Sequence, residues 1–366
     1  MRKALLLVFL WLIVVNAFGF VVLNRFNLTA DTAYTWIHPW NFPPSQSFDF
    51  IDMHNRWDSY WYLDIVEHGY YLKTDNTLSN VAFFPLYPVL IKIVGTILLG
   101  HFVLAGWFIS IVSLFLATGY FYRLVEKFHP DIDPALPIIF MLVFPTAFFF
   151  NIVYTESLFL FLTLGCFYHT FTRQFWLAGI FAFFAALAHS NGVFLAIPLL
   201  WETWRVYGWR SLYTWRILPI TFPAVAMLSF FAYSAWKFHD LFLFFKLESA
   251  WGRSFKINPD HFLFFSHPAI MNFVIDLSFT LLILTAIALV WHKLSPLYAL
   301  FMSATVLAAL TSGTLMSIGR YSLVLFPLFI LLAKIPSQTT KMTWIFASTL
   351  FLALDIMLFV SNYWAG

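Results

Sequence analysis

The stretch ALLLVFLWLIVVNAFGFVVL, residues 4–23, decides the fold class. It holds one polar side chain, Asn16, and no charge. Twenty residues of α-helix rise ~30 Å, the thickness of a bilayer's hydrocarbon core. A helix satisfies its own backbone hydrogen bonds, which lipid cannot do for it. Met1-Arg2-Lys3 ahead of an apolar run also fits a signal peptide. No small-x-small cleavage site follows Phe18, so the segment reads as an uncleaved first span.

Similar runs recur outward from it, at 101–122, 136–152, 156–172, 175–189, 193–204, 217–236, 270–291, 295–311, 320–334 and 342–361. The expected architecture is an all-α polytopic membrane protein of about eleven transmembrane helices. Hydrophobic residues make up 61% of the 366 and charged residues only 10%, far below the ~25% of soluble domains. The short alternating strands of a membrane barrel are missing. The segment 84–99 is apolar too, but it opens Phe84-Pro85-Leu86-Tyr87-Pro88 and carries Lys92. It reads as a helix lying at the interface. The whole chain reads as a single membrane-embedded domain, with an outer loop over 24–100 containing juxtamembrane helices and a second outer loop over 237–269.

Charge bias sets the orientation. With the N-terminus inside, the inner connections hold Arg2, Lys3, Arg123, Lys127, Arg173, Arg205, Arg210, Arg216, Lys293, Lys334 and Lys341. Making 84–99 a span would move Arg205, Arg210 and Arg216 outside. The polar loop 24–82 then faces the non-cytoplasmic side. It carries Asp31, Asp49, Asp52, Asp58, Asp64, Glu67 and Asp75, seven of the seventeen acids. The net charge of +3 comes without any Lys/Arg block, so no nucleic-acid partner is implied. A single cysteine, Cys166, excludes a disulfide within the chain.

Within that loop, His54 to Tyr70 reads as one short helix lying flat on the outer surface. Asn55 suits an N-cap with Asp58 three residues on, as in a capping box. Gly69 suits the position just past the helix end. Trp57, Trp61 and Ile65 give one apolar face, which leaves Asp64 and Glu67 to solvent.

Arg56-Trp57-Asp58, then His68-Gly69-Tyr70, then Ala82-Phe83-Phe84-Pro85-Leu86-Tyr87-Pro88 resemble the first-loop pattern of the PIG-V mannosyltransferases, a family within the GT-C class of polytopic glycosyltransferases. Tyr154-Thr155-Glu156-Ser157 resembles a further family segment. His189-Ser190-Asn191-Gly192 resembles its Arg-Ser-Asn-Gly turn, with His for Arg. Gly319-Arg320-Tyr321 resembles its Pro-Arg-Tyr. The resemblance implies a GT-C-type helical bundle. It also implies inverting transfer of a hexose, mannose by analogy, from a polyprenyl- or dolichyl-phosphate donor to an acceptor hydroxyl on the non-cytoplasmic face. Asp58 matches the position of the catalytic base. A carboxylate within reach of the acceptor hydroxyl can take its proton.

Arg320, with Arg56, would hold the donor phosphate as charge develops on it. Glu156, His189, Asn191, Trp57 and His54 would line the substrate cavity. Each also has a plainer reading. Asp58 could serve only as a capping partner, Arg56 as an ion-pair partner and Arg320 as a snorkelling anchor. Glu156 could complement a helix dipole, and His189 and Asn191 could cap a tight turn. No His set has zinc spacing, and a divalent metal stays open because GT-C families differ on it. The absence of a Gly-rich nucleotide loop fits a lipid-phosphate donor. The chain is short for a eukaryotic member, so a bacterial cell membrane is favoured over the endoplasmic reticulum. The partners implied are the lipid-linked donor, a lipid, glycan or protein acceptor, and the bilayer. The rival reading is a secondary transporter or lipid flippase, kept open by Asp276 and Asp355 within spans.

Overall fold

The computed structural model describes residues 1–25, 50–72, 79–249, 253 and 270–363, among which all regular structure is helical. In chain order the helices are α1 (Arg2–Arg25), α2 (Ser59–His68), α3 (Leu86–Ile97), α4 (Phe102–Phe128) and α5 (Ala135–Leu142). Next come α6 (Glu156–Phe171), α7 (Phe175–Ala188), α8 (Ala196–Tyr207), α9 (Leu218–Phe238) and α10 (Leu243–Glu248). The last are α11 (Ile270–Lys293), α12 (Pro296–Leu310), α13 (Ile318–Leu323), α14 (Pro327–Ala333) and α15 (Gln338–Val360).

Among the described residues, five helical segments are long and apolar enough to cross a membrane: α1, α4, the segment Trp215–Phe238 that contains α9, α11 and α15. A sixth span forms if the 3-10 segment Pro145–Asn151 and α6, bent by 95°, count as one. The chain is therefore an integral, multi-pass membrane protein. The expected helix at 136–152 breaks because Pro145 forces Phe144 into extended backbone (ψ 141°). The expected helix at 320–334 breaks before Pro327 into α13 and α14. Helices α7, α8 and α12 form, but their 14, 12 and 15 residues extend only about 18–22 Å.

The chain divides into two compact units. The first comprises Met1–Tyr71, Pro85–Phe161 and Leu332–Gly366. In it, α1 packs on α4, α5 and α15. The inward stripe of α1, Ala4, Val8, Leu12, Val15, Gly19 and Val22, repeats at helical spacing, while Phe9, Ile13, Val14 and Val21 stay exposed. A helix apolar on every side suits lipid on its free faces.

Helix α3 is short and lies against α4, with Tyr87 and Ile91 buried and Val89, Ile93 and Ile97 exposed. Lys92 Nζ donates to the Val66 carbonyl at 3.0 Å, near the C-terminal end of α2. That charge therefore sits on protein rather than in hydrocarbon.

The second unit comprises Leu72–Phe84 and Leu162–Leu331. Helix α7 presents Ala178, Gly179, Ala182, Ala185 and Ala186 as a small-residue face and packs on α9. Small residues let two backbones approach, which is how helices associate where lipid removes the hydrophobic drive. Helix α8 packs on α9 and α12, and α11 packs on α12 and α13.

Candidate functional site

In the first unit, the segment carrying Asp58 is tied to the spans by a buried polar network. Asn16, the one polar residue of the opening stretch, donates from Nδ2 to Leu12 O (2.8 Å) and Asn151 Oδ1 (3.2 Å). Its Oδ1 accepts from Asn151 Nδ2 (2.9 Å) and lies 2.7 Å from His54 Nε2. Trp107 Nε1 also donates to Asn151 Oδ1 at 3.1 Å. The His54 ring packs against Trp107, with centroids 4.5 Å apart. Buried amides in apolar surroundings are costly unless satisfied, so these side chains fix one another. Burial, reinforced by the Arg56 charge, holds the His54 pKa down at about 3, against the pull of the Ile51 and Phe50 carbonyls.

Two consecutive features aim Asp58. Helix α2 starts at Ser59, so Asp58 rather than Asn55 occupies the N-cap position, without a side-chain capping bond. This corrects the capping expectation. Asn55 instead closes the 3-10 turn Asp52–His54 through its N–H to Asp52 O (3.0 Å). Ser59 Oγ donates to Arg56 O (2.8 Å) and accepts from Arg56 N–H (3.2 Å), which sets the helix start. Trp57 has φ +54°, an uncommon conformation for a bulky residue and a form of strain often stored at functional sites. Its indole donates to Tyr363 O at 3.2 Å.

Asp58 is half-buried, and its backbone N–H donates to the Tyr154 hydroxyl at 2.9 Å. Tyr154 is itself held by Ser110 Oγ donating to its carbonyl (3.2 Å). Ser110 Oγ in turn lies 2.8 Å from Tyr87 Oη. The motif Tyr154-Thr155-Glu156-Ser157 is thus the bend between the 3-10 segment and α6, buried throughout. Glu156 is buried in the first turn of α6, where the helix dipole favours its charge.

Arg56 is buried and donates from Nη1 to Asn55 O (2.8 Å) and to Asp52 O, bracing the turn. Its Nε is buried without a hydrogen-bond partner. Asp64 departs from expectation. It is wholly buried, with its Oδ1 3.1 Å from His68 Nδ1, while Glu67 is exposed. Helix α2 does not lie flat on a surface: residues 59–66 are buried all round. Gly69 ends it at φ +72°, ψ −172°, a region essentially reserved for glycine. Asp49 lies outside the described residues.

The second unit holds His189, Asn191 and Arg320. His189 caps the 3-10 turn Ser190–Leu195, its Nδ1 accepting from Asn191 N–H at 3.2 Å. Gly192 is required here because a Cβ would lie 2.3 Å from Ala186 N and 2.4 Å from Ala185 C, both backbone. Tyr321 is the hub. Its ring meets His189 edge-on at 5.9 Å, and Arg320 Cζ lies 5.8 Å from its centroid. Arg253 Nη2 donates to its hydroxyl at 2.6 Å, and Arg253 Nη1 donates to Glu248 at 3.0 Å. His189, Asn191, Glu248, Arg253 and Tyr321 form the polar part of a cavity of ≈ 280 Å³, whose remaining wall includes Phe194 and Phe244. Arg320 is buried. Among the described residues no group of three His, Cys, Asp or Glu side chains could hold a metal ion.

The sequence profile of the mannosyltransferase (PIG-V) family matches residues 45–229, half of the chain. The chain belongs to the PIG-V mannosyltransferase family. The PIG-V match spans Asp58, Arg56, Glu156, His189 and Asn191; Arg320 lies beyond it. It gives no support to a transporter. No protein of curated function matches the sequence. Among solved structures, the oligosaccharyltransferase of Archaeoglobus fulgidus in the apo form aligns with TM-score 0.48 and 14% identity, over 98% of this chain and 56% of that one. The Archaeoglobus fulgidus oligosaccharyltransferase AglB, in complex with an inhibitory peptide and a dolichol-phosphate, aligns with TM-score 0.47 and 12% identity, over 98% and 56%. This PIG-V chain thus spans little more than half the length of those chains.

Sequence reasoning assigned no site role to Asn16, Trp107, Ser110 and Asn151 in the first unit or to Arg253 and Tyr321 in the second. Asn16 and Asn151 carried a usable signal, as amides at the edge of or within apolar runs. Nothing in the sequence paired Arg253 with Tyr321, 68 residues on.

Proposed function

We propose that this chain is a glycosyltransferase that moves mannose from a polyprenyl-phosphate to an acceptor hydroxyl on the non-cytoplasmic face of a bacterial cell membrane, with inversion. Asp58 is the base. It takes the acceptor's proton as the oxygen attacks the anomeric carbon, and the lipid phosphate departs from the opposite side. The leftover N–H of Arg56 stabilises the phosphate as its charge grows, and Arg320 is the second candidate for that role. Glu156, His189, Asn191, Trp57 and His54 shape or support the sugar and donor sites. The observation that carries this reading is a carboxylate one residue past a strained, braced turn, inside the matched family segment.

The test is transfer from radiolabelled polyprenyl-phosphate-mannose by the purified protein in detergent. Asp58→Asn should abolish transfer while leaving the melting midpoint unchanged. Near-normal turnover by that variant would refute Asp58 as the base. Failure of the wild type to use the donor, alongside transport into vesicles, would refute the enzyme.

A further inference from the structure

One end of the second unit carries a second polar cavity that the transfer reading does not use. It lies where α6 turns into α7 and α8 leads into α9, has a volume of ≈ 180 Å³, and is lined by Arg173, Trp176, Tyr207, Trp215, Arg216 and Pro219 among others. Three observations set it apart.

The first is uncompensated charge. Arg205 nearby is neutralised by Glu202 at 2.9 Å. Among the described residues, neither Arg173 nor Arg216 has a carboxylate partner, and both are exposed. Arg216 is fixed in place by stacking, with Cζ 4.1 Å from the Tyr207 ring centroid. Arg173 is carried out of the α6–α7 turn by a backbone φ of +62°. Two guanidinium groups beside one concavity favour a phosphate, whose oxygens match their fork of donors.

The second is aromatic exposure. Trp176 and Trp215 stack at 6.1 Å and 18°, yet remain 44% and 62% exposed, and Trp209, in the 3-10 turn that precedes Trp215, is 66% exposed. Indoles left this open belong at the headgroup level of a bilayer, with an apolar body and a polar N–H.

The third is depth. Leu218–Phe238 is the apolar core of a candidate span that starts at Trp215, so the mouth of the cavity sits where a span meets water. In the orientation that the basic loops favour, this is the cytoplasmic leaflet, where anionic lipids concentrate.

We propose that this cavity binds the phosphodiester headgroup of an anionic membrane phospholipid, with Arg173 and Arg216 on the phosphate and Trp176 and Trp215 against the glycerol and upper acyl chain. The site is a regulatory or anchoring lipid site, independent of sugar transfer. It does not rest on the identity of the donor.

The test is native mass spectrometry of the purified full-length protein after exchange into micelles containing phosphatidylglycerol or phosphatidylcholine. The wild type should retain phosphatidylglycerol about tenfold over phosphatidylcholine. R173Q/R216Q should lose that preference, and R173K/R216K, which keeps the charge but not the fork of donors, should keep only part of it. Inorganic phosphate at millimolar concentration should not displace the lipid. Equal retention of the two lipids by wild type, unchanged preference in R173Q/R216Q, or full displacement by inorganic phosphate would each overturn the proposal. If R173Q/R216Q elutes as aggregate, R173Q alone carries the same comparison, because Arg173 packs on no aromatic ring among the described residues.

Discussion

Replacing Asn16 with leucine should loosen the first-loop segment that presents Asp58, although residue 16 lies 42 positions upstream in a membrane span. Leucine has the same number of side-chain heavy atoms as asparagine, so no cavity opens and the loss of hydrogen bonds is the main change. Two groups lose their partner: Asn151 Nδ2, 2.9 Å from Asn16 Oδ1, and His54 Nε2, 2.7 Å from it. Each residue is buried, and an orphaned buried polar group costs about 1–3 kcal/mol. The sum is roughly 2–6 kcal/mol, which lowers the melting midpoint by something on the order of 5–10 °C.

A double-mutant cycle separates the network from a general loss of packing. Asn151→Leu alone orphans Asn16 and Trp107, while the double variant leaves nothing to pair across the α1 contact. Its cost should therefore fall short of the sum of the singles by about 1–3 kcal/mol. Midpoints are read by tryptophan fluorescence in detergent, and transfer is assayed on the same samples. Strict additivity of the two changes, or an Asn16→Leu protein that melts with the wild type, would refute the claim that this network holds the segment.

Tyr154→Phe removes the acceptor of the Asp58 N–H and should lower kcat at least ~10-fold while costing only about 1 kcal/mol of stability; equal kcat would mean that the bond does not position Asp58. Gly192→Ala puts a methyl group into the α7 backbone and should destabilise by at least ~2 kcal/mol, read as a lower melting midpoint; an unchanged midpoint would show that the turn has room to relax. His54 has its pKa held at about 3 against an ordinary 6.5. The unfolded chain therefore binds the extra proton first as pH falls. Stability from this group is complete above pH 6.5 and is lost progressively towards pH 3, by up to about 1.4 kcal/mol per unit. His54→Gln should flatten that slope in midpoints measured between pH 7 and 4, and an identical slope would assign the acid sensitivity elsewhere.

The long spans were legible because lipid imposes one rule, an unbroken apolar run of sufficient length, and α1, α4, α9, α11 and α15 obey it within a few residues at each end. A helix within 84–99 was legible too, and it forms as α3, 12 residues long with Pro85 at its start. Where the reading overshot, proline was the cause: Pro145 and Pro327 stand inside runs whose hydropathy alone predicts spans. The start of α2 was misread because Asn55 and Asp58 match a capping pattern, while the actual boundary depends on the Ser59 hydroxyl and the left-handed Trp57. Asp64 was assigned to solvent from helix phase alone. Its burial depends on segments remote in sequence, which no local pattern encodes. The motif residues around Asp58, Tyr154 and Asn191 stood out as words, but the bond from the Asp58 amide to the Tyr154 hydroxyl became visible only in three dimensions.

Residues 145–155 pass from a 3-10 turn through a sharp bend without a continuous α-helix, and nearly all are buried. Backbone of this kind cannot be handed to lipid one segment at a time, because its carbonyls and amides find partners only among neighbours already in place. Biogenesis is therefore ordered. The stretch rests on α4 and on α15, the last helix of the chain, so the bend that receives the Asp58 amide reaches its final packing only once that C-terminal helix has been made.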